Sequence, residues 1–62
     1  MKVEYSLRDN TKFITINKVI NCGVENELYV IFYVDSDENK RVLRIPIDLI
    51  YNIVEVYENV KT

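Results

Sequence analysis

The chain has 62 residues, which is enough for a single domain spanning 1–62 with a small core. Its eight basic and ten acidic residues leave a net charge of −2, which disfavours nonspecific nucleic-acid binding because that needs a basic surface. One cysteine and no histidine exclude an internal disulfide and a structural zinc site. Since small folds usually need an added source of stability, the sequence predicts a homodimer.

The composition favours strands and a cytoplasmic location. Val, Ile and Thr make up about a third of the residues, with five Tyr and two Phe, and these types suit a pleated, half-buried surface. No signal-peptide core is present, and no run approaches the roughly 20 apolar residues of a membrane span. A lone cysteine fits a reducing compartment. The richness in Ile, Asn, Lys and Tyr is typical of AT-rich coding sequence and of accessory or phage proteins.

The N-terminal third predicts a β-hairpin. Lys2–Leu7 alternates between apolar and polar residues, as a half-buried strand does. A turn at 8–11, rich in Asp and Asn, leads to a second strand at 12–22. Placing the apolar stripes on one face sets Tyr5 opposite Ile14.

Two further strands follow, at 28–35 and 40–46. The first is apolar on both faces, as strands covered on both sides are. Gly23, the only glycine, is predicted to adopt positive φ in the turn or bulge before the pair. A turn at 36–39 joins the two strands, with Asn39 predicted at its left-handed position.

The register of this second pair follows from keeping arginine out of the core. A loop of two or four residues sets Leu43 beside Phe32 and Ile45 beside Val30. A three-residue loop would instead put Arg44 near Phe32. We therefore predict the first arrangement.

The tail, 47–60, fits either a helix or a fifth strand. As a helix it carries an apolar stripe and an opposite polar stripe, and Pro46 suits a helix start. The apolar stripe comprises Leu49, Ile53, Val56 and Val60. As a strand, neither face is cleanly apolar. Periodicity favours the helix.

The predicted fold is therefore α+β: a four-stranded antiparallel sheet with one C-terminal amphipathic helix (ββββα). The alternative is a small all-β barrel like that of SH3 domains, in which Pro46 to Ile50 form one tight turn and 51–57 a fifth strand. In the preferred fold one sheet face packs on the helix. The residues predicted for that face are Val3, Tyr5, Leu7, Ile14, Ile16, Leu28, Val30, Phe32, Leu43 and Ile45.

The opposite sheet face is predicted to bind a partner. One helix covers only one face, and an uncovered apolar and aromatic face usually marks an interaction site. Tyr and Arg are also enriched at interface hot spots. The predicted partner-binding or dimer residues are Phe13, Tyr29, Ile31, Tyr33, Val42 and Arg44.

Signatures of catalysis are weak. Cys22 lacks a histidine base, and the carboxylates of Asp35, Asp37 and Glu38 match no calcium loop. No glycine-rich phosphate loop is present. We expect no enzyme activity, no cofactor and no metal site. The leading hypothesis is a small non-catalytic protein-binding module that inhibits or regulates a larger protein.

Single-stranded nucleic-acid binding is the alternative function. Tyr29, Tyr33 and Phe13 would form a stacking platform on the predicted sheet, with the cations Arg44, Lys40 and Lys18 nearby. Four strands followed by one helix also resemble, in topology, the single-strand-binding domain of PC4-like transcriptional coactivators. That resemblance implies nucleic acid as a possible ligand, although the acidic charge balance disfavours it.

Overall fold

The computed structural model describes residues 1–57, and within them the chain is almost entirely strand. Six strands and one short 3-10 turn account for most of the described residues. Their bounds are β1 Lys2–Leu7, β2 Asn10–Ile16, β3 Val19–Glu25, β4 Leu28–Val34, β5 Lys40–Pro46, the 3-10 turn Ile47–Leu49 and β6 Ile50–Val56.

The strands form two three-stranded antiparallel sheets. The first sheet has the order β2-β1-β6 and the second the order β3-β4-β5. The sequence predicts one strand over 12–22, but the chain bends at Asn17 and Lys18, and Lys18 has a φ of 53°. The Lys18 carbonyl accepts a hydrogen bond of 3.1 Å from the backbone N–H of Val34. The bend thus passes the chain from the first sheet to the second.

The predicted first hairpin is confirmed in its register. Tyr5 lies opposite Ile14 and Val3 opposite Ile16. The ladder shifts after Tyr5, so that Leu7 faces Asn10 across a bulge. The shared apolar face therefore set the pairing, as the alternation predicted.

The predicted ββββα fold is wrong, because the described part of the tail is a strand. β6 pairs with β1 from Lys2 opposite Val56 to Leu7 opposite Ile50. The β-branched residues of β6 suit a strand, and β1 gains a second neighbour by this pairing. The predicted helical position Val60 lies outside the described residues. Since no helix lies over a sheet among residues 1–57, the topological resemblance to PC4-like coactivators is also lost.

The all-β alternative is nearer to the structure. Pro46 to Ile50 do form a short connection, built on the 3-10 turn, and a strand follows it. The backbone N–H of Arg8 donates to the Leu49 carbonyl at 2.9 Å, which fixes this turn against the first hairpin. The observed architecture is two three-stranded sheets, and the bend at Asn17 and Lys18 connects β2 of the first sheet to β3 of the second.

The register between β4 and β5 differs from the prediction by one residue. Phe32 pairs with Val42, and Ile31 pairs with Leu43. Five loop residues, 35–39, separate the last pair, whereas a loop of two or four residues was predicted. A slip of one residue exchanges the two faces of a strand. The Tyr29 and Ile31 side of β4 therefore faces the core, and Phe32 is exposed on the opposite side, where Val30 is nevertheless buried.

The core lies between the two sheets. Its buried side chains are Val3, Tyr5, Val19, Tyr29, Ile31 and Ile45. Predicted burial is confirmed for Val3, Tyr5, Val30 and Ile45, and Leu7, Ile16 and Leu43 pack against the core cluster. Phe32 and Ile14 were also predicted to be buried, and both are exposed. Phe32 is exposed because of the register change, and Ile14 lies on an edge strand.

Two turn predictions are wrong. Gly23 has no positive φ; it lies within β3, and the tight turn after it is made by Asn26 and Glu27, with φ of 52° and 63°. Two central residues with positive φ match the right-handed twist of a hairpin. In the next loop the left-handed residue is Glu38 rather than Asn39.

Candidate binding surface

An exposed apolar row crosses the outer face of the second sheet. It consists of Ile20, Phe32 and Val42, one from each strand of that sheet, and we call it the outer patch. Phe32 and Val42 are directly paired. Ile20 lies in the β3 bulge between Val19 and Asn21, and Asn21 is the residue that pairs with Phe32. Their exposed fractions are 58%, 40% and 45%, so large apolar area faces solvent here.

The outer patch is flanked by positive charge. Lys40 and Arg44 alternate with Val42 along β5 and therefore point to the same side of the sheet. Neither side chain forms a salt bridge with any residue in 1–57. Arg41, which alternates with them, instead bonds to Asp35. The patch is thus apolar at its centre and cationic along one strand.

A shallow open groove of about 460 Å³ runs along the patch. Ile20, Phe32 and Val42 contribute apolar lining, and Lys40 is among the residues that line it. The groove is open to solvent on one side. It is suited to a protruding side chain or a segment of a partner rather than to an enclosed small molecule.

The loop 35–39 holds the two strands of the groove in register. The Asp35 carboxylate accepts backbone N–H bonds from Asp37 and Asn39, both at 2.9 Å, and a bond from Nε of Arg41 at 2.8 Å. The Arg41 guanidinium and the Asn39 N–H hold the pKa of Asp35 below its ordinary value. These contacts give Asp35 the role of a turn-organising residue, and its carboxylate is occupied by them.

The predicted partner-binding residues do not share one surface. Tyr29 and Ile31 are buried in the core at 5% and 0% exposure, so their placement on an exposed face is corrected. Tyr33 is half-buried against the same core. The physical reason is the loop of five residues, which turns this side of β4 inward.

The other three predicted residues are exposed, on two different sheets. Val42 and Arg44 lie on the outer face of the second sheet, as predicted. Phe13 is 50% exposed on β2 of the first sheet, and the structure separates it from them. Sequence reasoning missed Ile20 and Phe32. The sequence carried no signal for them, because β4 is apolar on both faces and the loop length became known only from the pairing of Val34 with Lys40.

A second polar cluster links the two sheets. The Tyr29 hydroxyl donates to Glu55 Oε2 at 2.5 Å, and the Tyr57 hydroxyl donates to Glu55 Oε1 at 2.7 Å. Because Tyr29 is on β4 and Glu55 on β6, the first bond joins the second sheet to the first. The two hydroxyl bonds lower the pKa of Glu55. Burial, with hydrogen bonds to Cys22 and Glu55, raises the pKa of Tyr29.

This cluster is unsuited to nucleophilic catalysis. Burial raises the pKa of the Cys22 thiol, and the reactive form of cysteine is the thiolate. The neighbouring carboxylate of Glu55 already accepts two hydroxyl bonds. The arrangement therefore acts as a structural tie between the sheets.

Among residues 1–57, no group of three or more His, Cys, Asp or Glu side chains is placed to hold a metal ion. No helix in that range has the length and apolar character needed to cross a membrane. Comparison of the chain with protein-family models, curated proteins and solved structures found no match.

Proposed function

We propose that this chain is a non-catalytic protein-binding module that acts in the cytoplasm as an inhibitor or regulator of a larger protein. The observation that carries the proposal is the outer patch, where Ile20, Phe32 and Val42 expose a contiguous apolar row across three strands. Exposed apolar patches rimmed by polar residues are typical of protein interaction sites.

The charges around the patch define the chemistry of the partner. Lys40 and Arg44 flank Val42 and make no salt bridge within the described chain. A partner with an apolar knob surrounded by acidic side chains would fill the groove and pair these cations. Such rim charges mainly raise the association rate and select the partner.

The proposal is tested with a photo-cross-linking amino acid at Val42, in the cells that naturally produce the protein. The matched control carries the same group at Val54, which is 42% exposed on the first sheet, against 45% for Val42. We expect a cross-linked protein at position 42 that is absent at position 54. Adding Phe32→Asp should abolish it, because a carboxylate would enter the apolar centre of the interface.

Charge reversal gives a second, independent readout with the identified partner. Lys40→Glu combined with Arg44→Glu should slow association and weaken its salt dependence. Equal cross-linking at 42 and 54, or binding that is indifferent to Phe32→Asp, would place any interface elsewhere and overturn the proposal.

Single-stranded nucleic-acid binding is less well supported. Its predicted platform needed Tyr29, Tyr33 and Phe13 on one face, but Tyr29 is buried and Phe13 lies on the other sheet. Phe32 beside Lys40 and Arg44 is the one aromatic and basic combination on the outer patch. We expect no mobility shift with single-stranded oligonucleotides at low salt. A shift that weakens steeply as salt rises would favour this alternative.

A further inference from the structure

Strand β5 has a regular free edge. It lies at the end of the second sheet, and among residues 1–57 it pairs only with β4. All seven of its residues pair with β4 without a register shift, whereas the other three ladders of the described chain each contain one. Five of the seven are exposed. A regular, uncovered edge of this kind can accept another strand.

Hydrogen bonds at both ends of β5 show which of its backbone groups are turned toward β4. The N–H of Asp35 donates to the Asn39 carbonyl at 2.9 Å. At the other end, the N–H of Ile47 donates to the Glu27 carbonyl at 3.1 Å. Each bond lies one position beyond the paired residues and keeps their register. Because hydrogen-bonded and non-hydrogen-bonded pairs alternate along an antiparallel ladder, the odd-numbered residues of β5 bond to β4.

The even-numbered residues of β5 are therefore turned toward the free edge. The backbone N–H and C=O groups of Lys40, Val42 and Arg44 point away from β4, and no other residue in 1–57 forms a hydrogen bond with them. The side chains of these three residues lie on the outer face of the sheet. A strand added at this edge would thus meet a cation, an apolar residue and a second cation on that face.

We propose that the partner adds a strand to β5, and that this strand carries an apolar residue between two acidic ones in the pattern acidic–x–apolar–x–acidic. The added strand is the part of the partner that occupies the outer patch, so this proposal rests on the proposed function. An antiparallel strand continues the order of the second sheet. With its apolar residue opposite Val42, its acidic residues lie opposite Lys40 and Arg44. Opposite charges directly across a strand pair stabilise it, and the main-chain bonds supply further affinity.

The same charges disfavour a second copy of β5 at this edge. Antiparallel pairing of two copies about Val42 would set Lys40 of each copy opposite Arg44 of the other. Like charges directly opposite destabilise a strand pair, and cations on an edge strand are a common device against self-association. An acidic segment turns this repulsion into attraction at both positions. The edge is thus closed to its own kind and open to a segment of opposite charge.

Amide exchange followed by NMR tests the proposal on the purified, isotope-labelled full chain. The probe is a capped synthetic peptide with the core Glu-Thr-Leu-Thr-Glu. Near saturation it should slow exchange of the Lys40, Val42 and Arg44 amides about tenfold, because their N–H groups gain partners. The Arg41 and Leu43 amides, which already bond to β4, should change much less. Binding through side chains alone would not produce this alternation.

Methylating one peptide nitrogen tests the backbone bonds without altering the protein. N-methylation of the central Leu removes the donor to the Val42 carbonyl and should weaken binding about tenfold. N-methylation of the Thr that follows is the matched control, because that N–H points away from β5. It should leave the affinity nearly unchanged.

Charge exchange between peptide and protein tests the pairing of side chains. Replacing both Glu of the peptide by Gln should weaken binding about threefold or more, and replacing them by Lys should abolish it. With Lys40→Glu and Arg44→Glu combined in the protein, the preference should reverse, so that the Lys peptide binds and the Glu peptide does not. A folding defect cannot mimic that reversal.

Three results would overturn the proposal: protection that does not follow the alternation, equal binding of the two methylated peptides, or no binding of the Glu peptide. Protection of the same amides that rises with protein concentration in the absence of peptide would also overturn it, since a second copy would then occupy the edge. Failure of the proposed function is separate, because cross-linking at Val42 reports on the natural partner. A specific cross-link there without strand addition would keep the function and discard the added strand.

Discussion

At the scale of single residues, Tyr29 shows how a side chain predicted for the surface serves the core instead. Its ring is 5% exposed, and its hydroxyl reaches across to Glu55 on the other sheet. A buried tyrosine usually finds a hydrogen-bond partner for its hydroxyl, and a carboxylate is a strong one. Tyr57 donates to the same carboxylate from an exposed position. The two tyrosines therefore form a natural comparison.

Tyr29→Phe should destabilise the fold by about 1–2 kcal/mol, because it removes a bond to a charged acceptor while keeping the buried ring. Tyr57→Phe should have a smaller effect, since its bond is exposed to water. Urea unfolding followed by circular dichroism measures both. Equal effects of the two substitutions would mean that the tie between the sheets adds nothing to stability.

Stability should also fall in acid. The hydroxyls of Tyr29 and Tyr57 lower the pKa of Glu55, and Arg41 lowers the pKa of Asp35. A depressed folded-state pKa gives stability that is present above the unfolded pKa of about 4 and lost as pH falls through the folded value. Urea midpoints from pH 7 downward should therefore drop below about pH 4.

The Glu55→Gln variant separates the two carboxylates. It should be less stable at neutral pH and should lose less on acidification than the wild type. The control Glu25→Gln alters an exposed carboxylate that makes no side-chain hydrogen bond within 1–57. Identical acid profiles for the wild type and Glu55→Gln would show that the Glu55 bonds do not favour its ionised form.

At the scale of elements, the β3–β4 hairpin depends on its turn residues rather than on glycine. Asn26 and Glu27 adopt positive φ at the turn, while Gly23 sits in a strand opposite Val30. A Cβ added at Gly23 would meet no atom within 4 Å. Glycine in a strand loses much conformational entropy on folding, so this position is open to stabilisation.

Gly23→Thr should therefore stabilise the protein by about 0.5–1 kcal/mol. Asn26→Thr, three residues later, should destabilise it by about 1–2 kcal/mol because a β-branched residue is strained at positive φ. Thermal or urea unfolding gives both values. Destabilisation by Gly23→Thr would indicate that the strand needs glycine at this point.

At the scale of the whole molecule, stability rests on a small core between two sheets. Few large side chains are fully buried, and many more remain exposed on both sheets. A chain of this size rarely gains more than about 3–5 kcal/mol from such a core. Single core substitutions should therefore have large consequences, and their pattern reports which face of β4 is inside.

Ile31→Ala should cost about 2–5 kcal/mol and leave most of the chain unfolded, since Ile31 is fully buried. Its neighbour Phe32 is 40% exposed, and Phe32→Ala should cost roughly 1 kcal/mol or less despite removing a larger side chain. Circular dichroism in water and in urea distinguishes them. The reverse order of effects would restore the face assignment that the sequence predicts.

The sequence by itself determined the strand-rich composition, the register of the first hairpin and the outward side of β5. These follow from local alternation of apolar and polar residues. Val3, Tyr5 and Ile14 mark the shared apolar face of the first hairpin, and Arg44 marks the outward side of β5. Where apolar and polar residues alternate, the pattern alone indicates which face of the strand is buried. It does not depend on which other parts of the chain cover that strand.

The tertiary structure alone decided which face of β4 is buried and that β6 is a strand. β4 is apolar on both sides, so its pattern has no direction, and a loop of five residues fixed its phase. The tail fits a helix by periodicity, but as a strand it pairs with β1 along the side of β1 that β2 leaves free. The outer patch exists because of the β4 orientation: the register that turns Ile31 into the core leaves its neighbour Phe32 exposed on the opposite face.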